Sequence, residues 1–150
     1  ETYAAKEGID NSDVTSFDYT LVDTTPIPIS EARKATENST VTVQGIVTYS
    51  ELSGSVWNLY IQDNDAGIVV RGNASGVEAG DKIEAYGPIT IYNGLVQVEA
   101  SKSGFQGGYI RTVEKSQDIP SPVPLNSSHF APGTGGNKGT GGQYEGMLVE

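Results

Sequence analysis

No cysteine occurs anywhere in the 150 residues. That absence removes disulfide staples, thiolate zinc sites and cysteine nucleophiles together. The chain has one histidine, one methionine and one tryptophan, so few side chains remain for nucleophilic or metal chemistry. Basic residues are scarce: nine Lys and Arg stand against nineteen Asp and Glu, a net charge of −10. A protein that holds nucleic acid mainly by neutralising phosphates needs clustered cations, and this chain has none. No stretch of eighteen apolar residues is present, which excludes a membrane-spanning helix read from hydropathy. What the chain has in quantity is turn chemistry, with 19 glycines and 7 prolines. That content argues against a helical bundle. The first residues, Glu1 to Lys6, match neither a signal peptide nor a natural start, so the chain reads as processed or excised. Its acidic composition, rich in Thr, Ser, Gly and Asn, leans towards an extracellular or cell-surface location.

Three zones follow one another. Residues 1–28 form an acidic, extended N-terminal segment that ends in Thr24-Thr25-Pro26-Ile27-Pro28, where two prolines enforce extended backbone. Within it, residues 14–22 are rich in β-branched and aromatic side chains and read as a strand. Residues 29–118 read as one barrel domain. Residues 119–150 read as a Pro/Gly-rich linker, whose final Tyr144–Glu150 segment looks like the start of a strand belonging to further protein.

The middle zone opens with a short helix over Ser30–Ala35, with Ser30 as N-cap. From Val41 to Ala100 the hydrophobic period becomes two. Val41–Tyr49 alternates until Gly45, where a bulge or tight bend is expected. In Val56–Gln62, Trp57, Leu59 and Ile61 share one face, and Asn58, Tyr60 and Gln62 share the other. Asp63–Gly67 is a turn, Ile68–Arg71 a third strand, Lys82–Gly87 a fourth. Tyr92-Asn93-Gly94 is a hairpin turn into Leu95–Glu99. The Gly72–Gly80 connection leaves room for one helical turn at most. Five short strands with a glycine kink in the first predict an all-β, five-stranded Greek-key barrel with one short N-terminal helix and extended tails. Its expected core is Val43, Ile46, Leu59, Ile61, Ile68, Val70, Ile83 and Val98.

The succession Val41-Thr42-Val43-Gln44-Gly45-Ile46-Val47, Leu59–Asp63, Gly67–Val70, Val77–Gly87 and Tyr92–Val98 resembles the OB-fold modules placed ahead of the catalytic domain in large bacterial extracellular nucleases and related surface phosphoesterases. The terminal Tyr144–Val149 is similar to the segment following such modules. The resemblance spans roughly residues 29–100 and this hexapeptide. It implies an OB-fold, a non-catalytic accessory role, and a downstream domain of the same polypeptide as partner.

An OB-fold binds through the outer face of its second and third strands and the adjoining loops. That face offers Asn58, Tyr60 and Gln62, with Tyr49, Arg71 and Tyr92 nearby, as a ligand site. Tyrosines stack on bases at ~1–3 kcal/mol per base. The same residues also suit ordinary strand packing. Between Val41 and Ala100 two basic residues face seven acidic ones, so single-stranded nucleic acid should bind weakly. Carboxylates point elsewhere too: Asp63-Asn64-Asp65 on a turn, like Asp10-Asn11-Ser12-Asp13, is the kind of oxygen cluster calcium uses, although neither supplies six to eight ligands. Turn chemistry explains both clusters equally. No hydrolytic centre is visible, since His129 lies in the Pro/Ser/Gly-rich linker without a fixed partner.

Three functions are compatible with this reading. One is an accessory module presenting nucleic acid to a separate nuclease domain. Another is a structural subunit of a surface assembly or filament, joined by strand addition through residues 14–22 or 144–150. The third is carbohydrate binding by Trp57, Tyr60 and Tyr92.

Overall fold

The computed structural model describes residues 21–130 and 140–150. Among the described residues the regular elements are α1 Ile29–Ala32, β1 Thr40–Ser53, β2 Val56–Gln62, β3 Gly67–Gly72, β4 Lys82–Tyr92, β5 Leu95–Glu99 and β6 Tyr109–Glu114, followed by two short 3-10 turns, Ser127–Phe130 and Thr140–Tyr144. β1 pairs with β2 and β2 with β3, both antiparallel. β3 runs parallel to β5, β5 pairs with β4, and β4 returns to β1. The ring closes through five strands. This all-β, OB-fold-like barrel was expected. The sixth strand was not: β6 adds to β4 from outside the ring, over Lys82–Tyr86.

Two long, bent strands let a five-membered ring close. β1 pairs with β4 through its first half and with β2 through its second, and Ile46 faces both Gln62 and Lys82. Gly45 sits at this crossing, where a Cβ would come within 3.0 Å of the Gln62 carbonyl oxygen. Gly45 nonetheless keeps phase. Val41, Val43 and Val47 all point inward, and the register slips later, between Val47 and Tyr49. The predicted interruption at Gly45 is thus corrected to a bulge at Thr48. Ile46 consequently leaves the core and is half-buried on the outer surface. The other seven expected core residues are fully buried. Trp57 packs half-buried against that core.

The helix begins earlier than predicted. Pro28, with φ −54°, is its N-cap residue and makes no side-chain cap bond; Ser30 lies inside the turn. A distant carboxylate supplies the missing acceptor, since Asp63 Oδ2 receives the Ile29 N–H at 2.8 Å. Ile29 and Ala32 are fully buried and plug the barrel where β3 begins. Where β3 ends, the Gly72–Gly80 connection contains no helix, and Ala74 and Val77 fold inward to close that side. The Asn93-Gly94 hairpin turn forms as expected, with φ of 48° and 90°.

The stretch expected as a linker and following strand is instead held against the barrel where it is described. Val123 bridges Val149 in parallel. Leu125 donates to the Glu150 carbonyl at 2.8 Å, and Leu148 donates to Gln62 Oε1 at 2.9 Å. Arg33 fastens this strap: its guanidinium donates to the carbonyls of Gly67, Glu145 and Gly142 and to the Glu145 carboxylate. His129, expected to lack a fixed partner, accepts the Asn126 N–H at 3.0 Å and packs edge-on to Tyr144. The Asp10–Asp13 cluster and most of the 14–22 strand candidate lie outside the described residues. Leu21 and Val22 are described and exposed.

Candidate ligand-binding cleft

Strand register, more than strand sequence, assembles the site. On the outer surface, Glu51 faces Asn58, Asn58 faces Arg71, and Arg71 faces Glu99. One step along, Tyr49 faces Tyr60, Tyr60 faces Val69, and Val69 faces Gln97. These two rows cross β1, β2, β3 and β5. They floor a cleft of about 540 Å³, and Tyr92 and Leu95 of the β4–β5 hairpin form one wall.

The first row is polar and linked from strand to strand. Asn58 Nδ2 donates to Glu51 Oε1 at 3.2 Å, and Arg71 Nη1 to Asn58 Oδ1 at 3.4 Å. Arg71 Nε lies 3.7 Å from Glu99 Oε1. Among the described residues lining the cleft, Arg71 is the only cation, and two carboxylates flank it. The second row supplies aromatic surface. Tyr49 and Tyr60 lie with ring centroids 5.7 Å apart, tilted by 50°, an arrangement aromatic pairs favour. Burial pushes the Tyr60 phenol above its ordinary pKa, and the Glu51 charge and Tyr49 push it further. Tyr60 therefore stays neutral over the physiological range. Tyr49 and Tyr92 are 57% and 67% exposed, enough to offer their rings to a ligand.

Of the six residues expected to bind ligand, the structure gathers Asn58, Tyr60, Arg71 and Tyr92 into the cleft, with Tyr49 stacked at its margin. It does not bring Gln62 there. Gln62 shares the β2 face, but the strap covers it and its amide oxygen is occupied by Leu148. Trp57 faces the core and is not part of the cleft. Glu51, Glu99 and Gln97 were missed. Their alternation put Gln97 and Glu99 outside, but the placement of β5 beside β3 is a long-range pairing that local sequence does not carry.

Asp63 is committed elsewhere. Its Oδ1 accepts the Asp65 and Ala66 N–H groups, each at 2.9 Å, and its Oδ2 holds α1. The Asp63–Asp65 pair acts as turn chemistry that also anchors the helix. Among the described residues, no three His, Asp or Glu side chains converge as a metal site.

No protein-family model matches the sequence. No curated protein matches it. Solved structures do match in fold. The HINa domain of Ifi202 in complex with 20-bp double-stranded DNA superposes at TM-score 0.52 and 16% identity, covering 73% of this chain and 60% of that one. The p204 HINb domain gives 0.50 and 16%, over 69% and 58%. A replication protein A heterotrimer bound to single-stranded DNA gives 0.49 and 14%, over 61% and 82%. At such identities the likeness to the two HIN domains is one of fold, and it agrees with the five-strand ring.

Proposed function

We propose that this chain is a non-catalytic OB-fold module whose cleft holds a short run of single-stranded nucleic acid by stacking bases on its tyrosines. The observation that carries the reading is the open aromatic row. Tyr49 and Tyr60 pave the outer face of β1 and β2, Tyr92 stands across the cleft, and polar side chains lie between. The Ifi202 domain, similar in fold, holds a DNA duplex. A duplex presents paired phosphates that call for several cations, whereas this cleft offers Arg71, already facing Glu99. A single strand read through its bases suits these residues better. The host is a bacterial secreted or cell-surface protein, and the module serves a nuclease domain elsewhere in that polypeptide. This context rests on the sequence resemblance and the acidic composition.

A sugar-binding reading has one observation in its favour: Glu51 and Glu99 repel phosphate but suit hydroxyl donors, next to exposed tyrosine rings. Strand addition through residues 144–150 has less, because the Leu148 and Glu150 backbones are bonded within the chain, bridging Val149 to Val123.

Fluorescence anisotropy with a mixed-sequence 12-mer tests the proposal. Tyr60→Ala should weaken binding by ~1–3 kcal/mol, the contribution of one stacked base. With about one phosphate neutralised, the log–log salt slope should be no steeper than about −1. Absence of binding up to millimolar protein, together with saturable binding of an oligosaccharide, would transfer the cleft to the sugar reading.

A further inference from the structure

Gln97 is 8% exposed, yet it lines the cleft, and its carboxamide has no hydrogen-bond partner among the described residues. Its amide atoms are not among the enclosed atoms that lack a partner, so they reach the open cleft. Among the other buried polar residues, Gln62, Asp81 and Glu84 are bonded within the chain, whereas the Thr42 and Thr90 hydroxyls are enclosed without a partner and do not line the cleft. Gln97 differs because its unpaired carboxamide opens on the cleft, where a ligand with a matching edge can pair with it.

The surroundings define that edge. Gln97 follows Val69 and Tyr60 in one row, so it stands about 10 Å from Tyr60 across two strand spacings. A strand that stacks one base on Tyr60 brings the edge of the next base towards Gln97. Beside this position stands Glu99, two residues along β5 on the same face, with Glu51 at the far end of the adjoining row. Each carboxylate uses one oxygen, Glu51 towards Asn58 and Glu99 towards Arg71, which leaves the second to accept from a ligand. A carboxamide pairs with a base edge through one donor and one acceptor, and an additional carboxylate accepts from an exocyclic amine. The same carboxylate repels a carbonyl oxygen in that position.

We propose that the cleft selects bases that carry an exocyclic amine beside a ring-nitrogen acceptor, adenine and cytosine, over thymine and uracil, with Gln97 pairing to that edge and Glu99 accepting the second amine hydrogen. This rests on the single-strand reading and adds a base preference to it. Tyr60 contributes affinity without selectivity, since every base has a face to stack.

Anisotropy titrations with 12-mers of dA, dC and dT at one low salt concentration test the preference. The dA and dC arms separate a purine from a pyrimidine source of the same edge. The intact chain should bind dA or dC about tenfold tighter than dT, the scale of one good base-edge pairing. Glu99→Gln, whose amide can donate to the thymine carbonyl, should raise dT affinity and collapse the preference. Gln97→Ala should weaken dA and dC and leave dT unchanged. Unchanged melting temperatures of both variants establish that the barrel is intact. Equal affinity for all three strands, or a preference that survives Glu99→Gln, overturns the base selection while the single-strand reading stands. No binding by any strand overturns the reading itself.

Discussion

Glu84 lies on the outer face of β4 and is only 3% exposed, yet it carries four hydrogen-bond or ionic contacts. Gln44 Nε2, Tyr109 OH and Arg111 Nε donate to it at 2.7, 2.7 and 2.8 Å, and Arg111 Nη2 lies at 2.6 Å. Burial works against its charge, but these donors outweigh burial and hold the carboxyl below the ordinary glutamate range. Asp81 behaves alike: burial opposes its charge, and Lys115 with the Glu78 and Ser116 backbone outweighs that. Both folded-state pKa values are depressed. Their stabilising contribution is therefore complete above the unfolded carboxylate value of about 4 and is lost as pH falls through the folded values. The melting temperature should drop on acidification below about pH 4, and Glu84→Gln should flatten part of that drop while lowering stability at neutral pH. A Glu84→Gln variant whose acid profile matched the parent would show that Glu84 is not a source of it. Sequence alternation places Glu84 on the outside of β4 but says nothing of its partners, because Tyr109 and Arg111 belong to a strand that local pattern left unassigned.

At the scale of elements, period-two alternation made β1 to β5 legible, and the Asn93-Gly94 turn marked its hairpin. What alternation cannot supply is pairing between distant segments. β6 shows this most clearly: Tyr109–Glu114 alternates weakly and is mostly exposed, so its strand state comes from the β4 edge rather than from an apolar face. The strap is the second case. Its prolines and glycines read as a spacer, but glycine also allows backbones to touch, and Gly146 packs against Gly67 and Ile68. A Cβ on Gly67 would lie 2.3 Å from the Gly146 carbonyl, and Gly146 itself has φ 80°. Gly67→Ala should therefore push residues 142–150 off the barrel while the five-strand ring persists. Hydrogen exchange should then speed up at Leu148 and Glu150, with amides in the β1–β4 ladder unchanged. Undisturbed exchange at Leu148 would mean that the strap tolerates the added methyl by moving elsewhere.

For the molecule as a whole, the chain joins an open aromatic face to a net charge of −10, the wrong sign for a polyanion. The fold places two rows of side chains side by side on the β1–β2–β3–β5 surface, and the strap covers the Gln62 end of that surface, confining the cleft to those rows. Asn58 and Tyr60 were recoverable from alternation along β2, and Tyr49, Arg71 and Tyr92 from the binding face usual for an OB-fold. The acceptor-rich character of the cleft was not, because Glu51, Gln97 and Glu99 meet through the parallel β3–β5 pairing. The central claim is that bases stack on this face despite its charge. An amide chemical-shift titration with a single-stranded 12-mer at low salt tests it most directly. The account predicts perturbations concentrated at Tyr49, Asn58, Tyr60, Val69, Arg71 and Gln97, with Arg33, Lys34 and the strap unmoved. Perturbations centred on Arg33 and Lys34, or none at saturating strand, would contradict it.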